Sequence, residues 1–183
     1  MLSKSFKNYK GIAELFLMML FSCQSNFDEV QKIGIKSGAP LTVATNIDTE
    51  QTELARLTTH LVSPTMKDFT NRDVPYFEFP NGLTMVLYDD QNNESHIFAD
   101  YGIAYNTVNL IDLRGNVVVA THTKDTLFAE QLYYDRSLSW IFTDLPVVFR
   151  TEHERITGQG FDSDKVFEHA RVLKVTGTIA IEE

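Results

Sequence analysis

The sequence lacks most of the residue arrangements that carry enzyme or metal chemistry. Its single cysteine, Cys23, leaves no second thiol for a disulfide or a zinc site. No serine lies in a Gly-x-Ser-x-Gly elbow, and Gly158-Gln159-Gly160 lacks the third glycine of a dinucleotide loop. We interpret these glycines as a strand position where another backbone comes close. The five histidines form no His-x-x-x-His pair: His60, His96, His122, His153 and His169. We therefore expect no catalytic residues, no metal and no cofactor.

Two polar segments leave weaker alternatives open. Glu152-His153-Glu154-Arg155 carries acid–base groups, but a charged hairpin tip is the simpler interpretation. The segment 89–94 is rich in carboxylate and amide oxygens, yet it lacks the ligand spacing of an EF-hand calcium loop. An enzyme acting through His153 or Glu154 is thus a distant alternative.

Basic residues are also in deficit. The chain has 16 Lys and Arg against 25 Asp and Glu, a formal net charge of −9. Because contacts to phosphate backbones need an excess of Lys and Arg, this balance excludes a nucleic-acid partner.

The N-terminus has the pattern of a secretion signal. Three lysines precede the apolar run 15–21, and the small residue Ser22 follows it. The run is too short for a membrane-spanning helix, which needs about 20 apolar residues. We predict a signal peptide over residues 1–22.

The segment Leu20-Phe21-Ser22-Cys23 resembles the lipobox of bacterial lipoproteins. The resemblance implies that Cys23 is lipidated and becomes the mature N-terminus; a buried cysteine at a helix end is the alternative. Residues 23–40 then form the lipidated N-terminus and a tether, because Gly34, Gly38 and Pro40 interrupt regular structure.

From residue 41 to residue 183 the sequence predicts a single β-domain. In segment 83–88, the apolar residues Leu83, Met85 and Leu87 alternate with Thr84, Val86 and Tyr88. This alternation is expected for a strand with one solvent-exposed face. The segment 97–105 alternates in the same way, which places Ile97 and Ile103 on one face. Segment 50–61 contains helix formers, but its threonines favour a strand over a short helix. Turns are predicted at 48–51, 81–82, 89–93, 106–109, 114–116, 122–125 and 135–137.

Part of the domain repeats with a period of about thirty residues. One copy runs from Ile97 to Val119 and the next from Leu127 to Phe149, and fainter copies lie on either side. Repeats of this length are supersecondary units that stack to bury a shared face. We therefore predict an elongated antiparallel β-scaffold rather than a globular pocket.

The alternation brings an apolar row to one side of these strands. Two interpretations are open: ordinary core between two layers, or the lining of a trough that receives acyl chains. The predicted row consists of Leu83, Met85, Leu87, Ile97, Ile103, Val117, Val119, Leu127, Leu132 and Val147.

Seven short segments of the domain are informative through their order and spacing. They are Phe79-Pro80-Asn81-Gly82-Leu83, Leu87-Tyr88-Asp89-Asp90, Ala99-Asp100-Tyr101, Gly115-Asn116-Val117-Val118-Val119, Asp125-Thr126-Leu127, Glu130-Gln131-Leu132-Tyr133-Tyr134-Asp135 and Gly158-Gln159-Gly160-Phe161-Asp162-Ser163-Asp164. Together they resemble the LptC family of lipopolysaccharide-export proteins, in particular its Bacteroidetes-type members. The resemblance extends from about residue 52 to residue 181.

The resemblance implies an all-β fold, a twisted antiparallel β-jellyroll or open β-taco of the OstA-like type. It also implies a domain that receives lipopolysaccharide from an inner-membrane ABC transporter and passes it to a periplasmic, LptA-like bridge protein. Family contacts join sheet edge to sheet edge, as exposed edge strands permit. We expect one joining edge near 41–57 and the other on 173–181, which contains Leu173, Val175, Ile179 and Ile181.

One departure from the family pattern concerns the anchor. Proteobacterial members carry an N-terminal transmembrane helix, whereas a lipid on Cys23 would hold this chain to a membrane without crossing it. We expect a periplasmic lipoprotein on the inner membrane. The alternative function is a β-assembly module that joins periplasmic partners by edge pairing and binds no lipid.

Overall fold

The structure is a computed structural model that describes residues 38–176. The predicted signal peptide, Cys23, Ile179 and Ile181 lie outside these residues. Within the described range the chain forms eleven strands and no helix, and every strand pairing is antiparallel. The predicted all-β class is confirmed. None of the described residues belongs to a helix long and apolar enough to span a membrane.

The strands follow one another with short connections. Their bounds are β1 Thr42–Glu53, β2 Arg56–Asp68, β3 Phe77–Phe79, β4 Leu83–Tyr88, β5 Glu94–Ala99, β6 Tyr101–Tyr105, β7 Leu110–Thr121, β8 Thr126–Asp135, β9 Trp140–Arg150, β10 Arg155–Asp164 and β11 Arg171–Val172.

The short strands β3 and β4 act as two halves of one long strand, and so do β5 and β6. Both β3 and β4 pair with β2, and both β5 and β6 pair with β7. From β7 onward, neighbours in sequence are neighbours in the sheet as far as β11. At the other end, β1 pairs with β2. The two copies of the predicted repeat correspond to β5–β7 and to β8–β9.

A line of irregularities crosses these strands. Two of the irregularities are the breaks between β3 and β4 and between β5 and β6. They align with register shifts in the longer strands, which lie between Arg114 and Val117 in β7, between Ala129 and Tyr133 in β8, and between Gln159 and Phe161 in β10. We call this line the crease. Because bulges bend strands, the sheet folds along the crease into two layers.

The layers are defined by their position relative to the crease. The first layer holds β4, β5 and residues 117–121, 126–129, 147–150 and 155–159. The second layer holds β3, β6, β11 and residues 110–114, 131–135, 140–143 and 161–164. Phe149 in the first layer and Phe161 in the second have ring centroids 5.5 Å apart. In a flat sheet, Phe161 would lie about 16 Å along β10 from Ile156, the partner of Phe149. The interior faces of the layers therefore meet.

The predicted alternation holds on one side of the crease and fails across it. In β4 the burial alternates as expected, with Leu83, Met85 and Leu87 inside. Ile97 is also buried, but in β6 the buried residues are Gly102 and Ala104, and Ile103 is only half-buried on the opposite face. The prediction that Ile97 and Ile103 share a face is wrong. The extra residue at Asp100 shifts the alternation by one position, which reverses every later side chain.

Two predicted turns are also wrong. The segment 48–51 is part of β1, and the reversal occurs at Leu54 and Ala55, whose φ angles of 49° and 63° are those of a two-residue hairpin turn. The segment 114–116 is part of β7 and contributes to the crease. A strand rather than a helix over 50–61 is confirmed on both sides of the Leu54-Ala55 turn.

Candidate functional site

Nine of the ten residues of the predicted apolar row lie in the interior. Each of the nine is at most 5% exposed, and all belong to one hydrophobic cluster. They come from both layers: Leu83, Met85, Leu87, Ile97, Val117, Val119, Leu127, Leu132 and Val147. Ile103 is the exception, because it lies on the outer face.

A continuous row runs across the strands within this cluster. Met85 pairs with Ile97, and Ile97 pairs with Val119. Val119 then pairs with Leu127, and Leu127 with Phe149. Because directly paired residues place their side chains on the same face, these five form one line from β4 to β9. We call it the interior row.

The interior row is packed core rather than an exposed trough. Met85, Val119 and Leu127 are fully buried, and Ile97 is 1% exposed. The ordinary-core interpretation therefore describes the row in this structure. Contact of these residues with lipid stays a prediction.

Each end of the described sheet has a strand with one described partner. At one end β1 pairs only with β2 among residues 38–176, and Val43 is 54% exposed. At the other end the segment 171–176, which begins with β11, runs along β10. Leu173 N–H donates to the Gly160 carbonyl at 2.8 Å, and Thr176 N–H donates to the Thr157 carbonyl at 2.8 Å. Leu173 and Val175 thus lie in an outer edge segment that follows β11, and their role in joining a partner stays a prediction.

The glycines of β10 allow this edge segment to approach closely. A Cβ atom at Gly158 would lie 2.4 Å from Val172 Cγ1 and 2.6 Å from the Leu173 carbonyl oxygen. The prediction that another backbone comes close at Gly158-Gln159-Gly160 is confirmed. Position 158 requires glycine because there is no space for a Cβ atom.

The loop 165–170 connects β10 to β11, and a single carboxylate organises its start. Asp164 accepts hydrogen bonds from the backbone N–H groups of Val166, Glu168 and His169 and from His169 Nδ1. Burial raises the pKa of Asp164, but these hydrogen bonds to the charged form outweigh burial and hold the pKa below its usual range.

Asp164, Glu168 and His169 also bring possible metal ligands within 4.8 Å of one another. Glu168 and His169 are exposed, and the oxygens of Asp164 already accept the hydrogen bonds of the loop. The cluster is therefore explained by loop structure. At the hairpin tip, the N–H groups of His153 and Glu154 bond Thr151 Oγ1, as a simple turn requires.

Sequence reasoning missed two features of the site. On the outer face of the second layer, Asp112 is 3% exposed, binds Arg114 and accepts a hydrogen bond from Gln131 Nε2 at 2.7 Å. Nearby, burial and a hydrogen bond to Glu78 raise the pKa of Tyr101 to about 12. The period-2 spacing of Asp112 and Arg114 was the available signal for this pair.

The second missed feature is Phe167 in the loop 165–170. Its side chain is 7% exposed and belongs to the hydrophobic cluster. A large apolar residue inside a charged loop was the only signal, and it does not reveal which core residues the ring contacts.

Comparison with known protein families supports the resemblance found in the sequence. No curated protein matches the chain. The family model described as "Lipopolysaccharide-assembly, LptC-related" matches residues 12–180, nearly the whole sequence. The chain therefore belongs to the LptC family, whose role is lipopolysaccharide transport.

Proposed function

We propose that this protein accepts lipopolysaccharide from an inner-membrane ABC transporter and passes it to a periplasmic, LptA-like bridge protein. The interior row carries this proposal, because it presents one uninterrupted apolar line across β4, β5, β7, β8 and β9. Leu61, paired with Met85, and Ile156, paired with Phe149, extend it to β2 and β10. Six strand spacings make the line about 29 Å long.

An interior of this kind suits hydrocarbon chains. Each buried CH₂ group of an acyl chain contributes about 0.8 kcal/mol, so a lipid with several chains gains much from a long apolar line. Because the row is packed in this structure, the two layers must separate for chains to enter. The net charge of −9 disfavours a phosphorylated headgroup near the protein, so the sugar head stays in water.

The two edge strands supply the joining surfaces. Exposed strand edges pair readily with strands of other domains. The first edge is β1, and the second is the segment 171–176 together with the predicted strand residues Ile179 and Ile181. Partner domains added at both edges would continue the interior row from one protein to the next.

The anchor is proposed from the N-terminal pattern. A lipid on Cys23 holds the domain at the periplasmic face of the inner membrane. Residues 24–40 act as a tether that lets the domain extend away from the membrane. One acyl chain binds membranes only weakly, whereas the several chains of a lipoprotein anchor bind stably.

Photocrosslinking of the full chain to purified lipopolysaccharide tests the proposal. A photoreactive residue in place of Leu87, which is fully buried, should crosslink to the lipid. The same residue in place of Ile103, on the outer face, should not. Absence of crosslinks at Leu87, Ile97 and Leu127 in a folded protein would refute lipid contact with the interior.

The tight packing of the interior favours a second candidate function, a β-assembly module that joins periplasmic partners and binds no lipid. Val175→Glu places a charge on an edge residue that is 49% exposed, and it should abolish capture of the purified bridge protein. If capture is lost while crosslinking at Leu87 persists, edge pairing and lipid contact are separate properties of one transporter. If no interior position ever crosslinks, the assembly module is the better account.

A further inference from the structure

The loop 165–170 closes the mouth of the fold, which we define as the side opposite the crease. Tyr88 ends β4 in the first layer, and Asp164 ends β10 in the second. Lys165 follows Asp164, and its Nζ donates a hydrogen bond to the Tyr88 carbonyl oxygen. The loop therefore ties the far ends of the two layers together.

Phe167 extends from this loop into the interior. Its ring meets the rings of Phe149 and Phe161 edge-on, with centroids 5.6 Å and 5.3 Å away. Phe149 is the β9 member of the interior row, so the Phe167 ring packs against one end of that row. The Phe167 ring fills space that is continuous with the row.

The backbone at Phe167 is in a conformation that bulky residues rarely adopt. Its φ angle is +64°, in the left-handed region. Such conformations are costly and persist only where the surroundings enforce them. Here the hydrogen bonds to Asp164 and the Lys165 contact on one flank enforce it. The inserted position of the ring is therefore held by the loop contacts and by packing against Phe149 and Phe161, and it is opposed by the local backbone preference.

There is room for the loop to move. A cavity of about 320 Å³ separates Val166 and Glu168 from the turns that hold Asn93 and Thr123. A second cavity of about 560 Å³ lies on the other flank, between Trp140 and the residues that follow Phe167. The loop therefore has open space on both flanks into which it can shift.

We propose that the Phe149–Phe161 pocket is an acyl-chain subsite and that Phe167 occupies it until a lipid chain takes the place of its ring. This inference rests on the proposed function and identifies where a chain enters the interior. The pocket is lined by apolar rings, so its ligand is a saturated hydrocarbon chain. Lys165 and Asp164 act as positioning residues, because they hold the loop and do not touch the pocket.

The test uses the full chain with a photoreactive residue at Ile156, which pairs with Phe149 and packs against the same cluster. Crosslinking to purified lipopolysaccharide is measured with Phe167 intact and in Phe167→Ala. We expect a several-fold increase in Phe167→Ala. Lys165→Met, which removes the contact to Tyr88 but leaves the ring, should give a smaller increase.

Two controls make the outcomes decisive. Phe142→Ala removes a ring that stacks on Tyr133 at 5.3 Å on the outer face, and it should leave the yield at Ile156 unchanged. A photoreactive residue at Leu87 reports lipid contact independently of the loop.

If Leu87 crosslinks and neither Phe167→Ala nor Lys165→Met raises the yield at Ile156, the subsite is refuted and the transport function stands. If neither Leu87 nor Ile156 crosslinks in any folded variant, both are refuted. Circular dichroism establishes folding, and Lys165→Met provides the test if Phe167→Ala does not fold.

Discussion

Asp100 and Asn116 meet across the crease, where Asn116 Nδ2 donates a hydrogen bond to Asp100 Oδ2 at 2.7 Å. The backbone follows the same path, because Asp100 N–H donates to the Gly115 carbonyl at 3.0 Å. These bonds join β7 to the break between β5 and β6. The two residues therefore mark the place where one sheet bends into two layers.

We expect Gly115→Ala to destabilise the crease. Gly115 has a φ angle of +75°, and a Cβ atom there would lie 3.1 Å from Asp100 Cβ. The left-handed backbone alone costs a residue with a Cβ about 1–2 kcal/mol. Urea unfolding measures the loss. Asn116→Gly keeps the permitted backbone and removes only an exposed hydrogen bond, so its effect should stay within about 0.5 kcal/mol. Equal effects of the two changes would contradict this account.

Gly158→Ala should detach the edge segment 171–176. The new methyl group would collide with Val172 Cγ1 at 2.4 Å and with the Leu173 carbonyl oxygen at 2.6 Å. Because the backbone cannot move aside as a flexible side chain can, we expect the free energy of unfolding to fall by about 1–3 kcal/mol. Amide exchange at Leu173 and Thr176 should accelerate before exchange in β7 and β8. Gln159→Ala, at an exposed neighbouring position, is the matched control and should leave that exchange slow.

The stability of the loop 165–170 should depend on pH through Asp164. The pKa of Asp164 is lowered in the folded protein, so its carboxylate stabilises the fold at pH values above the ordinary aspartate pKa of about 3.9. This contribution is lost as pH falls from that value through the lowered pKa of Asp164. Asp164→Asn should therefore lower the free energy of unfolding by about 1–2 kcal/mol at pH 7. The difference should be much smaller at the lowest pH where the protein folds.

Urea unfolding at several pH values checks this dependence. Glu168→Gln is the matched control, because its carboxylate is exposed and its backbone N–H remains available to Asp164. A constant difference between wild type and Asp164→Asn across pH would show that the carboxylate charge is not the cause.

Cys23→Ser should release the protein from membranes. Because the apolar run of the predicted signal peptide is too short to span a membrane, we propose that a lipid on Cys23 anchors the protein. Cell fractionation and metabolic labelling with a fatty acid measure the two consequences separately. In the variant we expect loss of label and appearance of the chain in the soluble periplasmic fraction. An unlabelled wild-type chain that still sediments with membranes would contradict lipidation.

Much of the fold was predictable because strand alternation and turn chemistry are local. The faces of β4 and the turns at 89–93, 106–109, 122–125 and 135–137 follow from residue type alone. The close approach at Gly158 was also predicted, since glycine inside a strand marks such contacts. The error at Ile103 arose at Asp100, where a single extra residue reverses the alternation and leaves no mark in composition.

The closed state of the interior could not be predicted from the sequence. An apolar row has the same pattern whether it faces water, lipid or a second layer of protein. Only the fold at the crease brings Phe149 to Phe161, and only the loop 165–170 inserts Phe167 between the layers.

The sequence by itself determined the antiparallel strands, the acidic surface, the family and the set of apolar residues, because each depends on residue type and near neighbours. The tertiary structure decided which of those residues face one another, where the sheet bends and how its mouth is closed. Those features depend on contacts between residues far apart in the chain, which form only when the two layers pack together.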